Sequence, residues 1–179
     1  MRKLFAAALL AACSATPALA QGSEAFNGPH VELITGYDSV DGAGDSTGGV
    51  IYGIGAGYDF RLDDIVVGIE AEAAESTTGD CQGGVCVDAS RDLYIGGRLG
   101  VVVAPNVLIY AKAGYSNARV VATAGGISDG TNLDGARAGA GVEWQFANSP
   151  LSLRAEYRYT NYEAGLSRHQ GVLGLSYRF

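Results

Sequence analysis

The sequence predicts an all-β protein, a closed antiparallel barrel of eight strands that run up and down. Three observations predict this fold. Apolar and polar residues alternate with a period of two, turn-rich breaks separate the alternating segments, and glycine accounts for 27 of 179 residues. So much glycine disfavours helices, since glycine in a helix interior costs about 1 kcal/mol relative to alanine. Strands that pack closely and turn often accommodate it.

Eight segments carry the alternation. In the second segment, Tyr52 and Ile54 lie on one face, whereas Gly53, Gly55 and Asp59 lie on the other. The eight segments are residues 31–38, 50–60, 65–73, 92–103, 109–116, 136–146, 151–159 and 170–179.

The first residues predict a cleaved secretory signal. Arg2 and Lys3 precede an apolar run over residues 4–12, and Ala18 and Ala20 form a small-x-small cleavage site. The apolar run is too short to span a bilayer as a helix. We therefore predict a signal peptide at residues 1–20 and one barrel domain at residues 21–179.

The three cysteines have different predicted roles. Cys13 ends a stretch that also matches a lipoprotein-processing box, so lipidation of Cys13 is the alternative to cleavage after residue 20. Cys81 and Cys86 remain in the mature chain, and an exported protein meets an oxidising compartment, which favours a disulfide between them. Metal binding is the competing hypothesis, but no second cysteine pair and no nearby histidine supports it.

Charge and hydropathy argue against two classes of protein, those that bind nucleic acid and those that cross a membrane with helices. The net charge is −7, and removal of Arg2 and Lys3 with the signal makes the mature chain still more acidic. An acidic chain without a basic stripe argues against nucleic-acid binding, because phosphate contacts need lysine and arginine. After the signal, no apolar run approaches the roughly 20 residues of a transmembrane helix.

Alternation alone does not distinguish a soluble barrel, whose apolar face forms the core, from a membrane barrel, whose apolar face meets lipid. The polar face favours the membrane barrel, because it mixes acidic and basic residues that can neutralise one another in a narrow lumen. The predicted interior charge network consists of Glu32, Glu70, Glu72, Asp92, Arg98, Lys112, Arg137, Glu143, Arg154, Glu156, Arg158 and Arg178, and Asp59 lies on the same face.

Aromatic residues support the same choice. They collect near strand ends on the apolar face, as in the girdles of membrane barrels, where amphipathic rings lie at the headgroup level. The chain also closes an apolar-alternating strand with Tyr177 and Phe179. These features predict an eight-stranded antiparallel up-and-down transmembrane β-barrel. The aromatic residues are Tyr58, Phe60, Trp144, Phe146, Tyr157, Tyr159, Tyr177 and Phe179.

The breaks alternate in length, which predicts the orientation of the barrel. In membrane barrels of this type, short turns face the periplasm and long loops face outward. We expect the long loops, rich in glycine, threonine and aspartate, to be candidates for contact with an extracellular ligand. The short breaks are near residues 61–64, 104–106 and 147–150, and the long ones are near 39–49, 76–90, 120–134 and 163–167.

The order and spacing of several stretches resemble the small outer-membrane β-barrel family that includes the OmpA transmembrane domain, opacity proteins and porin-family surface antigens. The resemblance implies contact with outer-membrane lipid and lipopolysaccharide in a Gram-negative bacterium. It also implies insertion by the barrel assembly machinery, for which Tyr177 and Phe179 would be the assembly signal. No peptidoglycan-binding domain is expected. The stretches are residues 28–32, 36–38, 52–59, 96–100, 110–115, 154–159 and 177–179.

These observations predict a structural or surface-interaction barrel with small conductance at most, and not an enzyme. A narrow porin is the alternative, although eight strands enclose a lumen only wide enough for side chains. A lipid-modifying enzyme is a third hypothesis, but residues 167–170 lack the His-x-Ser-Asn pattern of the deacylases, and only His30 and His169 could act as ring bases. No spacing specifies a metal or a cofactor.

Overall fold

The structure of the protein is a computed structural model that describes residues 25–42, 45–82, 85–125 and 127–179. The predicted signal peptide and the alternative lipidation of Cys13 lie outside these residues and stay predictions. Among the described residues, no helix is long and apolar enough to cross a membrane. The strands are β1 (Gly28–Gly42), β2 (Asp45–Leu62), β3 (Ile65–Ser76), β4 (Gly79–Gln82), β5 (Val85–Ala104), β6 (Val107–Ala124), β7 (Ile127–Gln145), β8 (Leu151–Tyr162) and β9 (Ser167–Arg178).

The strands form a closed antiparallel barrel. Consecutive strands pair with one another except β3 and β4, and β1 also pairs with β9, with Leu33 opposite Leu175. On the other side, β3 pairs directly with β5, with Ile65 opposite Val101. The short β4 pairs with β5 beyond the end of β3, so β3 and β4 together occupy one position in the wall. The wall therefore has eight strands, which confirms the predicted fold.

The two faces of the wall have opposite character. Burial alternates strictly along β8, where every second residue from Ser152 to Tyr162 is buried. The large apolar side chains point outward, and Ile69 and Leu33 are 66% and 62% exposed. Exposure of such a continuous apolar surface to water is unfavourable, whereas the hydrocarbon of a bilayer matches it. This arrangement confirms that the apolar face is the lipid-facing one.

Aromatic side chains on the outer wall form two bands. In the band near the short turns, the rings of Tyr58 and Phe60 lie 4.7 Å apart and those of Tyr177 and Phe179 lie 5.1 Å apart. Bands of this kind place amphipathic rings at the two membrane interfaces. The short-turn band consists of Tyr58, Phe60, Trp144, Phe146, Tyr177 and Phe179. The opposite band, which we call the outer aromatic band, consists of Tyr37, Tyr52, Tyr115, Tyr157 and Tyr159.

The opposite end of the barrel differs from the prediction. Three of the segments predicted as long loops are largely strand, because the hairpins continue as ladders almost to their tips. In the β1–β2 hairpin the pairing reaches Gly42 opposite Asp45, and in the β6–β7 hairpin it reaches Ala124 opposite Ile127. A continued ladder satisfies backbone groups that a loop would leave to water. We call the ends of the hairpins on this side of the barrel, near residues 39–49, 76–90, 120–134 and 163–167, the outer hairpins. They extend beyond the outer aromatic band.

Candidate functional site: the charged lumen and the outer hairpins

The lumen of the barrel is lined by charged side chains. All twelve members of the predicted network are buried in the structure, together with three further charged residues on the same face of the wall. The lining therefore contains eight carboxylates and seven basic groups. The three further residues are Asp38, Asp59 and Arg168.

Nearest the short turns, two arginines share two carboxylates. Arg98 donates from Nε to Oδ1 of Asp59 over 2.8 Å and from Nη1 to Oε2 of Glu143 over 2.9 Å. Arg178 donates to Oδ2 of Asp59 over 2.8 Å, and the hydroxyl of Ser152 donates to Glu143 over 2.7 Å. Each arginine thus contacts both carboxylates, which gives this lower cluster a balanced charge.

In the middle of the barrel, Lys112 lies among three carboxylates. Its Nζ atom is 2.7 Å from Oε1 of Glu70, 2.6 Å from Oε1 of Glu72 and 2.9 Å from Oε1 of Glu156. The ammonium also lies 4.6 Å from the centroid of the Tyr94 ring. A compact cation with three donors suits three acceptors around one point.

Two arginines of β8 complete this middle cluster. Arg154 reaches Oε2 of Glu32 over 2.7 Å and Oε2 of Glu156 over 2.6 Å. Arg158 reaches Oε2 of Glu72 over 2.7 Å and also contacts Glu156. The middle cluster has four carboxylates and three basic groups, and each carboxylate contacts at least one of the basic groups.

Towards the outer hairpins, an upper cluster has the same charge balance as the lower one. Arg168 donates to Oδ1 of Asp38 over 2.6 Å and to Oδ2 of Asp92 over 3.1 Å. Arg137 also contacts Asp92, over 2.5 Å. The hydroxyl of Ser76 donates to Asp38 over 2.6 Å. Here again two carboxylates face two guanidinium groups.

Many of these ion pairs cross the lumen, since their strands are not neighbours in the wall. Arg154 of β8 contacts Glu70 of β3 over 3.5 Å, and Arg168 of β9 contacts Asp92 of β5. A barrel of eight strands has an interior just wide enough to be filled by side chains. The three clusters therefore fill the lumen at three levels.

Arg168 is the member that the sequence prediction missed. Residues 163–167 are a predicted long break and the last predicted segment begins at residue 170, so Arg168 belongs to no predicted strand. Its position nevertheless has the parity of Gln170 and Arg178, both of which were placed on the polar face. Extending the period of two by one step would have found it.

The carboxylates of Glu32, Glu70 and Glu72 lie within 4.8 Å of one another, the one group of possible metal ligands found among the described residues. Lys112 and Arg154 contact all three of these side chains and bring positive charge to the same point. A calcium ion needs six to eight oxygen ligands, and a magnesium ion keeps several bound waters, whereas here an ammonium and a guanidinium group occupy the space around the carboxylates. The arrangement therefore favours ion pairing over metal binding.

Of the two histidines considered as ring bases, His30 is buried with its Nδ1 atom 3.3 Å from Oδ2 of Asp59. His169 faces the outer wall and not the lumen. Its Nδ1 atom lies 2.6 Å from the hydroxyl of Tyr157, and its ring centroid lies 5.0 Å from that of Tyr159. These contacts make it part of the outer aromatic band.

An apolar plug closes the lumen at the short-turn end. Phe26 is fully buried there against Val66, Leu108 and Tyr110. Its φ of 63° is a backbone conformation that bulky residues rarely adopt, so the packing and its neighbours hold it in place. One such neighbour is Arg61, whose Nη1 donates to the carbonyl of residue 25 over 3.0 Å.

We expect Phe26→Ala to lower the free energy of unfolding by about 3 kcal/mol, the usual cost of removing a buried phenylalanine ring. Urea unfolding of the barrel in lipid vesicles, followed by the fluorescence of Trp144, measures this change. Phe26→Leu is the matched control and should lose much less, because it retains most of the apolar contact. An unchanged midpoint for the alanine variant would contradict the plug.

The structure places the remaining predicted residues without testing their roles. Cys81 and Cys86 are directly opposite each other in the β4–β5 ladder, and their side chains are not described, so the disulfide stays a prediction. Tyr177 and Phe179 face outward, and the amide of Phe179 donates to the carbonyl of Pro29 over 3.0 Å. Their role as an assembly signal also stays a prediction.

The outer hairpins present an acidic surface. Asp134 accepts hydrogen bonds from the hydroxyl of Tyr115 and from Nδ2 of Asn117, which lower the pKa of its carboxyl and keep it charged at neutral pH. The exposed charged residues described at this end are Glu75, Asp129 and Glu163, against Arg91 and Arg119, and Asp134 is half-buried. The backbone of these hairpins also carries Asp41, Asp45, Asp80 and Asp88.

Comparison with known proteins gives a consistent result. A family model described as outer membrane protein beta-barrel domain matches residues 5–179. The 25 kDa outer-membrane immunogenic protein of Brucella ovis is 31% identical over 124 residues, which are 69% of this chain and 61% of that relative. The chain thus spans about three fifths of the length of that relative.

Solved structures of outer-membrane proteins share the fold. Neisserial surface protein A superposes with a TM-score of 0.64 and 19% identity, covering 86% of this chain and 98% of that one. Ail, the attachment invasion locus protein of Yersinia pestis, in complex with the heparin analogue sucrose octasulfate, gives a TM-score of 0.62 and 18% identity, covering 85% and 99%. At these identities the likeness concerns the fold.

Proposed function

Because the chain belongs to the outer membrane protein β-barrel domain family, and is an integral barrel of the outer membrane of a Gram-negative bacterium, we propose that it acts as a closed scaffold that holds the outer hairpins at the cell surface for contact with other molecules. Its lumen is not a route for solutes, and it has no catalytic role.

The observation that carries this proposal is the filled lumen. Ion pairs cross it at the lower, middle and upper clusters, and Phe26 packs beneath them. An open diffusion pore needs a wider barrel, with an aqueous channel. The side chains that close the lumen also hold together strands that are distant in the wall, which suits a rigid support for projecting hairpins.

We expect planar-bilayer recordings of the purified barrel to show no stepwise currents, because the side chains of the three clusters and of Phe26 occupy the lumen. A general porin recorded under the same conditions is the positive control. The alternative, a narrow porin, requires regular current steps whose size changes in Arg98→Ala or Glu72→Ala. Current steps of this kind would contradict a closed lumen.

The charge of the outer hairpins supports one class of contact over another. The Ail structure holds a polyanionic heparin analogue. In this chain the exposed charged side chains of the outer hairpins are mostly acidic, and like charges across an interface cost affinity. We therefore propose cationic partners for this protein and do not extend the sulfated ligand to it.

Adhesion of intact cells tests the surface role. We expect cells that display the protein to adhere to a surface coated with basic lysozyme more than to one coated with acidic ovalbumin. Replacing residues 121–130 with a two-residue Asn-Gly turn shortens the β6–β7 hairpin and should remove most of this adhesion. Equal adhesion by cells with the shortened hairpin, at equal surface amounts of folded barrel, would contradict the proposal.

A further inference from the structure

One strand of the outer hairpins has an unpaired edge. The β7–β8 ladder begins at Gly135, opposite Tyr162, because the chain turns there through residues 163–165 into β9. The β6–β7 ladder continues much further, to Ile127. Between Ile127 and Asp134, β7 is therefore paired with β6 on one side, and no described strand pairs with it on the other.

The open side of β7 presents its own donors and acceptors at alternate residues. The amide of Gln145 donates towards β6, to the carbonyl of Asn106, and the amide of residue 146 donates towards β8, to the carbonyl of residue 151. The β6–β7 register has no shift from Trp144 to Ile127. Since hydrogen-bonding direction alternates along an antiparallel strand, the even residues 128, 130, 132 and 134 direct their amides and carbonyls to the open side.

A groove and negative charge lie at the base of this edge. The groove is about 550 Å³ in volume and is lined by Tyr115, Asp134, Tyr162 and Glu163, among others. Asp129 is exposed further along the same strand. A partner that extends along the edge would meet carboxylates at both ends of it.

We propose that the open edge of β7, from Ile127 to Asp134, binds an extended polypeptide segment carrying lysine or arginine, by strand addition. This inference rests on the proposed surface role and names the partner that the β6–β7 hairpin would take. Main-chain hydrogen bonds to residues 128, 130, 132 and 134 provide the pairing, and Asp134 and Glu163 select the basic side chains.

An extended chain fits this edge better than other occupants do. A free edge offers amides and carbonyls at every second residue of a strand that rises about 3.3 Å per residue, a spacing that another strand matches and a globular surface does not. A second copy of this chain would add the negative charges of its own Asp129 and Asp134 to an edge that already carries both. Like charges between neighbouring strands are destabilising, so a basic segment from another protein is the complementary occupant.

The test uses the full barrel in lipid nanodiscs and a fluorescein-labelled peptide of about ten residues in which lysine and threonine alternate. We expect the peptide to bind, as measured by fluorescence anisotropy, and to slow amide exchange at Gly130 and Asn132. Asn132→Pro removes one edge amide without touching the β6 ladder, a substitution that edge strands accept. It should weaken binding about tenfold, whereas Asn132→Ala, which keeps the amide, should not.

Three outcomes overturn the inference. These are binding that Asn132→Pro leaves unchanged, binding without slower exchange at the edge, and failure of the lysine peptide to bind, with or without self-association of the barrel through β7. A peptide of alternating glutamate and threonine should not bind, and Asp134→Asn should weaken binding of the lysine peptide. If adhesion to lysozyme is lost when residues 121–130 are replaced but is unchanged by Asn132→Pro, the proposed function is retained and strand addition is rejected. Stepwise currents in bilayers would reject the closed scaffold instead.

Discussion

Arg154→Met is expected to destabilise the folded barrel by about 3–5 kcal/mol, the cost of removing one partner from a buried ion pair. Arg154 is buried in the middle cluster, where Glu32 and Glu156 accept its shortest contacts. Methionine retains most of the volume, so the loss is mainly electrostatic. Urea unfolding in lipid vesicles measures the change, and Arg91→Met, at an exposed arginine, is the control expected to change little.

The same cluster offers a rescue experiment. Arg154 is the one basic group in ion-pair distance of Glu32 among the described residues, so in Arg154→Met the Glu32 carboxylate is left buried without its cation. Adding Glu32→Gln removes that charge and should recover part of the lost stability, which a double-mutant cycle quantifies. Two independent losses that simply add would show that Arg154 does not stabilise the barrel through Glu32.

Gly36→Ala is expected to destabilise the seam between the first and last strands by about 1–3 kcal/mol, the usual cost of overpacking. A Cβ atom at Gly36 would clash with the carbonyl oxygen of Gly171 and would lie 2.8 Å from Cα of Val172. Both are backbone atoms of β9, so relief requires the strands to separate where the barrel closes.

Gly171→Ala is the matched control for this substitution. It changes the nearby glycine on β9, which lies opposite Tyr37 in the ladder and where an added Cβ meets nothing within 4 Å. The stability of this variant should therefore stay within about 0.5 kcal/mol of the original, as for surface substitutions in general. The readout is the temperature at which the folded band disappears on a gel of unboiled samples. Equal effects of the two substitutions would show that the close approach at Gly36 costs nothing.

The alternation of residue types was sufficient to predict the barrel and to place the twelve members of the charge network on one face. This is a local property, because successive side chains of a strand point to opposite faces whatever the strand pairs with. The charges and strand-end aromatics then indicated that the apolar face meets lipid. A residue such as Ile69, with Gly68 and Glu70 beside it, carries that information in three adjacent letters.

The tertiary structure decided which charges meet. That Lys112 gathers three glutamates, or that Arg168 spans the lumen to Asp92, depends on register and closure among strands far apart in the chain, and a period of two contains no information about either. The plug at Phe26 and the open edge of β7 were decided at the same level. Phe26 packs against residues of β3 and β6 that are far from it in the chain, and the edge of β7 is open because the β7–β8 ladder begins only at Gly135. Packing partners and ladder lengths depend on the assembled barrel, and alternation along one strand does not specify them.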